Sequence, residues 1–374
     1  MWLAPIKNFG EKKTMSKFRI PICGLAGLLF AGIVAGPALA QKASSPYELT
    51  VFAKAPQGLS APDSIAVLGD HVFVGYGDGH LPDGSDGLNS QVVEFAQDGS
   101  VVHIYTVPGH NDGLKVDPRT HLLWALQNED ANANLVIINT QTRDQKLYTF
   151  GPTLHGGGYD DIVFRGCKAY ISASNPAKNP NSGAAIVSAD LVGNTVVVHQ
   201  ILAADAKAIN IPTQTTIQLN LQDPDSMTLD PYGNLVLDSQ ADQELIIVNH
   251  PESEDQRVLR IALSYETPKG LVPVEVDDTV FATSSEGYIL FADKKLNTVY
   301  RLRESAFLPG TAYTAADGGP FVGRVDLNTG IITPIVTGLG SPGGMAFVDT
   351  FSEGKGHDGV VLNGADACRD NDSH

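Results

Sequence analysis

The apolar residues of this chain fall in short runs rich in Val, Ile and Leu, and turn residues separate one run from the next. In the segment PDSMTLDPYGNLVLDS, which begins at Pro224, the turn Asp230-Pro231-Tyr232-Gly233-Asn234 lies between two such runs. This arrangement is typical of β-hairpins. Helical periodicity is almost absent after residue 40, and residues 202–209, the one short helix candidate, are interpreted as a loop. The pattern predicts an all-β protein.

The same pattern recurs along the chain. Each copy has an acidic residue, a short strand, a Gly/Asp turn and a second strand, and further strands follow. The copies begin at Pro62, Asn111, Tyr159, Pro224 and Val276, with a weaker copy at Ser341. Four strands per unit is the composition of a propeller blade, and repeats of about 50 residues are near the upper end of usual blade lengths. The sequence therefore predicts a six-bladed β-propeller with four-stranded antiparallel blades.

Two regions do not fit this scheme directly. The sixth copy supplies strands only at residues 344–348 and 359–362, so we expect the strand signal at residues 47–53 to complete the last blade. Such an N-terminal strand would remove exposed sheet edges. Residues 297–338 contain three more strand signals, which predict either an insertion in the fifth blade or an additional blade.

The N-terminal segment has the features of an export signal. Lys17 and Arg19 precede an apolar run at residues 22–35, and Ala38-Leu39-Ala40 follows, which predicts cleavage before Gln41. The alternative is an uncleaved anchor, but the run is shorter than the roughly 20 residues of a membrane-spanning helix. We expect a periplasmic or secreted protein without stable membrane insertion after cleavage. The predicted organisation is a signal peptide at residues 1–40, one propeller domain at 41–364 and a polar C-terminal tail at 365–374.

Cleavage would leave two cysteines, Cys167 and Cys368, in an oxidising compartment. One disulfide between them is one interpretation. The other is that they stay unpaired, because Cys368 lies in the polar tail and Cys167 lies among strand signals.

The chain is acidic, with 42 Asp and Glu against 25 Lys and Arg and a formal net charge of -17. Such a charge repels phosphate backbones and anionic membrane surfaces, which argues against nucleic acid as a partner. The expected partners are cations and a small-molecule or protein ligand.

Acidic residues stand at the start of the first strand in five copies. In a propeller the first strand of each blade lines the central channel, and the end of the second strand returns to the same face. We therefore expect these residues to meet at one channel mouth: Asp63, Asp112, Asp160, Asp225 and Asp277, with Gly343 in the sixth place. A wider polar ring would comprise Asn128, Glu129, Asn175, Asp238, Asp293, His110 and His155. Carboxylates this close repel each other unless a cation or hydrogen bonds offset the charge, and oxygen ligands suit a divalent cation such as calcium.

The repeats resemble the six-bladed propeller superfamily that includes gluconolactonases, the senescence marker protein (regucalcin) and NHL-repeat propellers. The resemblance rests on the strand start P-D-[SG]-[IM]-x-[VL] and on D-x-x-G-N-L-x-[VL]-D-S in the fourth copy. It implies metal ligands at Asp63, Asp160 and Asp225, of which Asp225 in P-D-S-M is nearest to the family's P-D-G-M. Asp63 stands where the family has Glu, and Asp160 where it has Asn. The predicted ligand-binding residues around this metal are Asp112, Asn128, His155, Asn175 and Asp277.

The five aspartates also have a purely structural interpretation, since an Asp before a strand often accepts a hydrogen bond from the N–H two residues on. The sequence has no G-x-S-x-G, H-E-x-x-H or Walker motif, and it identifies no catalytic residue. Two functions stay open. One is a propeller that binds a small molecule or protein at its channel mouth, and the other is a metal-dependent hydrolase of lactones or related esters. An oxidoreductase with an unrecognised cofactor is the background alternative.

Overall fold

The computed structural model describes residues 40–350, and these residues form strands, turns and loops without a helix. The predicted all-β class is confirmed. No helix in this part of the chain has the length and apolarity needed to cross a membrane. Several predictions lie outside the described residues: the signal peptide apart from Ala40, the strand at 359–362 and the tail at 365–374.

The strands are numbered in chain order, and the first fourteen cover residues 42–203. Strands β1 to β6 are Lys42–Ala43, Glu48–Lys54, Pro62–Leu68, His71–Tyr76, Asn89–Ala96 and Val101–Pro108. Strands β7 to β10 are Asn111–Val116, Leu123–Gln127, Asn134–Ile138 and Gln145–Phe150. Strands β11 to β14 are Ile162–Arg165, Lys168–Ser172, Ala184–Val192 and Thr195–Ala203.

The remaining fifteen strands cover residues 207–349. Strands β15 to β20 are Lys207–Asn210, Thr215–Gln218, Pro224–Leu229, Leu235–Ser239, Glu244–Asn249 and Arg257–Ala262. Strands β21 to β25 are Ser264–Thr267, Gly270–Pro273, Asp278–Phe281, Gly287–Asp293 and Thr298–Arg303. Strands β26 to β29 are Ala312–Ala316, Phe321–Asp326, Ile331–Thr337 and Pro342–Asp349.

The strand pairing divides these elements into four-stranded antiparallel blades. The strands of each blade are named from the inner strand outward. Blades 1, 2 and 3 are β3–β6, β7–β10 and β11–β14, each built from consecutive strands. Blade 4 is β17–β20, and the hairpin β15–β16 adds to its outer edge through a short parallel pairing with β20. The inner strands of neighbouring blades, β3, β7, β11, β17, β23 and β29, lie side by side around the channel.

The last two blades exchange strands. The inner strand β23 pairs with β26, and blade 5 is completed by β27 and β28. The next two strands in the chain after β23, β24 and β25, belong instead to blade 6, where β24 pairs with the inner strand β29. The chain therefore leaves blade 5 after one strand, builds the middle of blade 6, and returns.

This exchange corrects two predictions. The fifth copy, from Val276, was expected to form one hairpin, but its two strands lie in different blades. Residues 297–338 form neither an insertion in blade 5 nor a further blade, because they contain β25 of blade 6 and β26–β28 of blade 5. The apolar pattern identifies each strand, but a period of two residues does not specify which strand it pairs with.

The N-terminal strand closes the last blade as predicted. Strand β2 pairs antiparallel with β25, so the outer strand of blade 6 comes from the start of the described chain. The ring is thereby fastened by hydrogen bonds between residues more than 240 positions apart, such as Glu48 with Arg303. Residues 202–209 contain no helix, since β14 ends and β15 begins there.

Apolar side chains pack between adjacent blades. Leu126 of blade 2 and Ile171 of blade 3 are fully buried in one such cluster, and Leu237 and Ile246 lie in the next. Burying a Leu or Ile side chain contributes roughly 1.5–3 kcal/mol, so these layers hold the ring together.

At the surface, Cys167 is disulfide-bonded in the turn between β11 and β12. The other two cysteines, Cys23 and Cys368, lie outside the described residues.

Candidate metal centre

One end of the channel opens into a polar cavity of about 130 Å³. The five aspartates predicted to meet at a channel mouth all line it, one from each of five blades: Asp63, Asp112, Asp160, Asp225 and Asp277. Further acidic residues in the lining are Glu129, Asp130 and Asp223, and a single basic residue of the lining, Lys294, accompanies them. Ser64, Ser174, Ser226, Gln240 and Gly344 complete the lining. This cavity attracts cations.

Irregular backbone pairing places the aspartates at the mouth. The register between the first and second strands shifts between Pro62 and Ile65 in blade 1, and between Pro224 and Met227 in blade 4. Blade 2 has the same shift between Asn111 and Leu114. Each irregular segment contains the ring aspartate, and bulges of this kind redirect side chains beside functional sites.

The ring has two unlike sides, and Lys294 defines the first. Its Nζ atom lies 2.7 Å from Oδ2 of Asp63 and 2.8 Å from Oδ1 of Asp277. Only 32% of the Lys294 side chain is exposed. Burial lowers the pKa of Lys294, but the carboxylates of Asp277 and Asp63 raise it by more, so its pKa lies well above the ordinary value. Lys294 is thus a permanent cation at this side of the mouth.

The sixth ring position is a glycine because Lys294 fills the space. A Cβ atom on Gly343 would lie 2.7 Å from Cε of Lys294 and 2.9 Å from a carboxylate oxygen of both Asp63 and Asp277. Lys294 follows directly on β24, the strand that blade 6 receives by the exchange. The exchange therefore delivers the cation to the position where the repeat lacks its aspartate.

The opposite side of the ring holds a carboxylate triad, Asp112, Glu129 and Asp160. One carboxylate oxygen from each lies within 4.8 Å of the others, so the triad could hold a metal ion. An ion with oxygen ligands at the 2.3–2.6 Å typical of calcium separates two ligands by at most about 5 Å, which matches this spacing. Asp112 and Asp160 are 7% and 6% exposed. Within residues 40–350, no ammonium or guanidinium group forms an ion pair with any of the three.

The three carboxyl groups perturb one another strongly. Burial and then the charge of Asp112 raise the pKa of Glu129 well above its ordinary value. Burial, followed by the charges of Asp112 and Asp225, does the same to the pKa of Asp160. Burial opposes ionisation of Asp112, but the hydrogen bond with Glu129 and the charge of Lys294 lower its pKa to about 2. Ionising all three carboxyl groups is therefore unfavourable in the protein alone, and a bound cation would offset the negative charge of the ionised triad.

The ring aspartates are distinct from the turn-capping aspartates of the same protein. Asp230 accepts hydrogen bonds from the backbone N–H groups of Tyr232 and Asn234 in the hairpin turn of blade 4. Asp117 does the same for Arg119 in blade 2. None of the five ring aspartates caps its own strand in this way in the described part of the chain. Asp63 does accept a hydrogen bond from a backbone N–H, but the donor is Gly344 of blade 6, at 3.4 Å.

Three predicted ligand-binding residues do not line the cavity. Asn128 accepts a hydrogen bond from the N–H of His110 and donates one to the carbonyl of Asn132, so it fixes a loop. Asn175 contacts the carbonyl of Asp130 at 3.4 Å. His155 is buried against Tyr159, with ring centroids 5.3 Å apart, and burial lowers its pKa. These three side chains support the loops around the mouth.

A second charged layer lies deeper in the channel. Lys115 Nζ lies 3.6 Å from Oδ2 of Asp161, and Asp278 borders the same small cavity. Asp161 accepts a hydrogen bond from the N–H of Met227 in the next blade, and Asp278 accepts one from the N–H of Met345. These bonds join inner strands of adjacent blades, so this layer stabilises the ring beneath the cavity.

Sequence reasoning missed Lys294 and placed Glu129 only in the wider polar ring. The signal for Lys294 in the sequence is Gly343 at the sixth ring position. A glycine in place of the repeated aspartate indicates that a side chain from elsewhere in the chain fills this part of the mouth. Glu129 lies two residues beyond the end of β8, where the second strand of blade 2 returns to the mouth beside Asp112.

No protein-family model matches the chain, and no curated protein matches it. Among solved structures, the chain is similar to virginiamycin B lyase from Staphylococcus aureus, with 10% identity, a TM-score of 0.46, and 77% of this chain and 87% of that chain covered. It is also similar to a protein of unknown function from Bacteroides caccae, with 9% identity, a TM-score of 0.45, and 78% and 88% covered.

A third similar structure is a proposed gluconolactonase, with 11% identity, a TM-score of 0.42, and 79% of this chain and 83% of that chain covered. Gluconolactonases are among the propellers that the repeats resemble. The strand pairing described above defines the propeller fold of this chain.

Proposed function

We propose that this chain is an exported propeller that holds a divalent cation at its channel mouth and binds a small-molecule or protein ligand there. The observation that supports the proposal is the triad of Asp112, Glu129 and Asp160, which is closely spaced and without a cationic partner among the described residues, with Asp112 and Asp160 buried and Glu129 partly buried. All of its ligand atoms are carboxylate oxygens. Such ligands suit calcium better than zinc or copper, which prefer nitrogen and sulfur.

The expected ligand is one that offers oxygen atoms to the cation. Calcium takes six to eight oxygen ligands, and three carboxylates supply only part of that number. The rest would come from water, from neighbouring carboxylates such as Asp225, or from carbonyl, hydroxyl or carboxylate groups of the ligand. The acidic lining disfavours phosphate backbones, so nucleic acid is not proposed as a partner.

Calcium titration of the purified protein tests the proposal. Calcium chloride should raise the melting temperature of the protein, because a cation that binds only the folded state stabilises it by mass action. The Asp160→Asn variant should lose most of this increase. Asp230→Ala, which removes a turn-capping aspartate outside the mouth, is the matched control and should keep it. A melting temperature independent of calcium, magnesium and manganese would reject the proposal.

A metal-dependent hydrolase of lactones or related esters is the second candidate. It is favoured by Asp225, a cavity-lining carboxylate that contacts Asp160 but lies outside the triad. In that reaction the cation would polarise the substrate carbonyl, and Asp225 would take a proton from the attacking water. A lactone hydrolysis screen with and without chelator distinguishes the two functions. Calcium binding without any chelator-sensitive hydrolysis favours the binding propeller.

Export is part of the proposal and is tested separately. N-terminal sequencing of the mature protein should begin at Gln41. Recovery of membrane-bound protein that retains residues 20–40 would contradict cleavage of the signal.

A further inference from the structure

We infer that Lys294 is a tethered cation that occupies a second cation-binding position, formed by Asp63 and Asp277, and thereby determines how many divalent cations the channel mouth binds and where. The inference rests partly on the proposed function, because it assigns the remaining position to an external cation. It concerns the opposite side of the ring from the triad.

The geometry around the Lys294 ammonium group defines a cation-binding position. Lys294 Nζ contacts two carboxylates from different blades at 2.7 and 2.8 Å. Gln240 Nε2 approaches Asp277 at 3.4 Å, and the backbone N–H of Gly344 donates to Asp63 at 3.4 Å. A cation therefore already sits between Asp63 and Asp277, which demonstrates directly that this pair binds positive charge.

The space around the ammonium group leaves no room for a side chain at residue 343. Residue 343 has no side chain, and a methyl group there would collide with Lys294, Asp63 and Asp277 alike. In the other five blades this position carries an aspartate. The mouth thus has a cation where the repeat would otherwise place a sixth carboxylate, and the lysine and the glycine are complementary.

The positive charge at the mouth is distributed unevenly between its two sides. Lys294 balances one of the two charges of Asp63 and Asp277, and it also lowers the pKa of Asp112 from across the cavity. The triad and Asp225 remain without an ion-pair partner in the part of the chain that the structure describes. An external divalent cation should therefore bind off the channel axis, beside blades 2 and 3, and a second one is excluded by the ammonium group.

Replacing Lys294 by Met removes the charge and keeps most of the side-chain volume. The Lys294→Met variant should bind one more calcium ion per chain than the unaltered protein, measured by isothermal titration calorimetry and by elemental analysis after dialysis against calcium chloride. Lys115→Met is the matched control, because it removes a lysine from the deeper layer of the same channel, and it should leave the calcium stoichiometry unchanged. Adding Asp63→Asn and Asp277→Asn to Lys294→Met should abolish the extra ion.

The outcomes separate this inference from the proposed function. Equal stoichiometry in Lys294→Met and the unaltered protein would overturn the inference. If Lys294→Met binds calcium and the unaltered protein does not, the inference is supported and the proposed function is rejected. If neither protein binds calcium, both are rejected.

Stability measurements keep the test decisive if Lys294→Met folds poorly. Without Lys294, calcium should raise the melting temperature of the Lys294→Met and Lys294→Gln variants by more than that of the unaltered protein. An increase in both variants no larger than in the unaltered protein would overturn the inference.

Discussion

Both sides of the channel mouth carry aspartates at equivalent positions of the blades, yet they differ in what balances their charge. On one side Lys294 lies between Asp63 and Asp277. On the other side Asp112, Glu129 and Asp160 face one another with no such partner among the described residues. The first side has its cation within the protein, whereas the second could hold an external metal ion. The repeat supplies carboxylates evenly, and a single lysine makes the ring asymmetric.

The largest expected effect of breaking this asymmetry is the loss of Lys294. In calcium-free buffer, Lys294→Met should lower the free energy of unfolding by about 3 kcal/mol, because removing one partner of a buried ion pair leaves the other charges uncompensated. Urea unfolding measures the change. Lys168→Met is the control, since its ion pair with Glu252 lies at the surface and should contribute less than about 1 kcal/mol. Equal losses in both variants would contradict a special role for Lys294.

The next effect tests the fit between Lys294 and Gly343. Gly343→Ala should cost about 2 kcal/mol of stability, because the added methyl group overpacks the mouth. The cost should largely disappear in a Lys294→Ala background, where the space is free. A double-mutant cycle by urea unfolding gives the coupling between the two positions. If the effects of Gly343→Ala and Lys294→Ala on the free energy of unfolding are additive, Lys294 is not the reason for the glycine at position 343.

A smaller effect should differ in size between the two sides. Burial raises the pKa of both Asp63 and Asp160, but the charge of Lys294 opposes the rise at Asp63. At pH 8 without calcium, Asp160→Asn should therefore stabilise the protein by about 1 kcal/mol. Asp63→Asn should stabilise it by less, because Lys294 also loses a partner. Thermal unfolding of both variants measures the difference, and equal changes would reject the distinction between the two sides.

The smallest expected effect concerns the layer beneath the mouth. Burial raises the pKa of Asp278 to about 8. The folded protein therefore keeps this proton up to about pH 8, whereas the unfolded chain releases it near pH 4. The resulting stability is complete below pH 4 and is lost as the pH rises through 8. The charged groups that face Asp278 are Lys115, Asp161, Asp277 and Asp238.

Asp278→Asn should flatten the fall in the free energy of unfolding between pH 4 and 8, because it removes one of the groups that titrate in this range. Urea unfolding at several pH values measures the slope. Asp230→Ala, which alters an aspartate in a hairpin turn, should leave the slope unchanged. If the free energy of unfolding of Asp278→Asn falls with pH as steeply as that of the unaltered protein, Asp278 does not titrate as described.

Local sequence patterns were sufficient for several features of this protein. Alternating apolar residues and turn residues predicted the strands, and the repeat of these patterns predicted a propeller. The repeated aspartate predicted which side chains line the mouth, because the first strand of every blade lies at the channel. The strand before the first repeat predicted the closure of the last blade. Each of these inferences needs only residues close together in the chain and the general geometry of blades.

The partners of β24 and the position of Lys294 were decided only by the tertiary structure. By sequence, β24 is the second strand of the fifth copy, which would place Lys294 at the end of blade 5. The strand exchange moves it to blade 6, beside Gly343 and between Asp63 and Asp277. Strand pairing is a long-range choice among edges of similar apolar pattern, and no local signal specifies it. The charges of the mouth depend on that choice, so the sequence determined which carboxylates gather there and the tertiary structure determined which of them are neutralised.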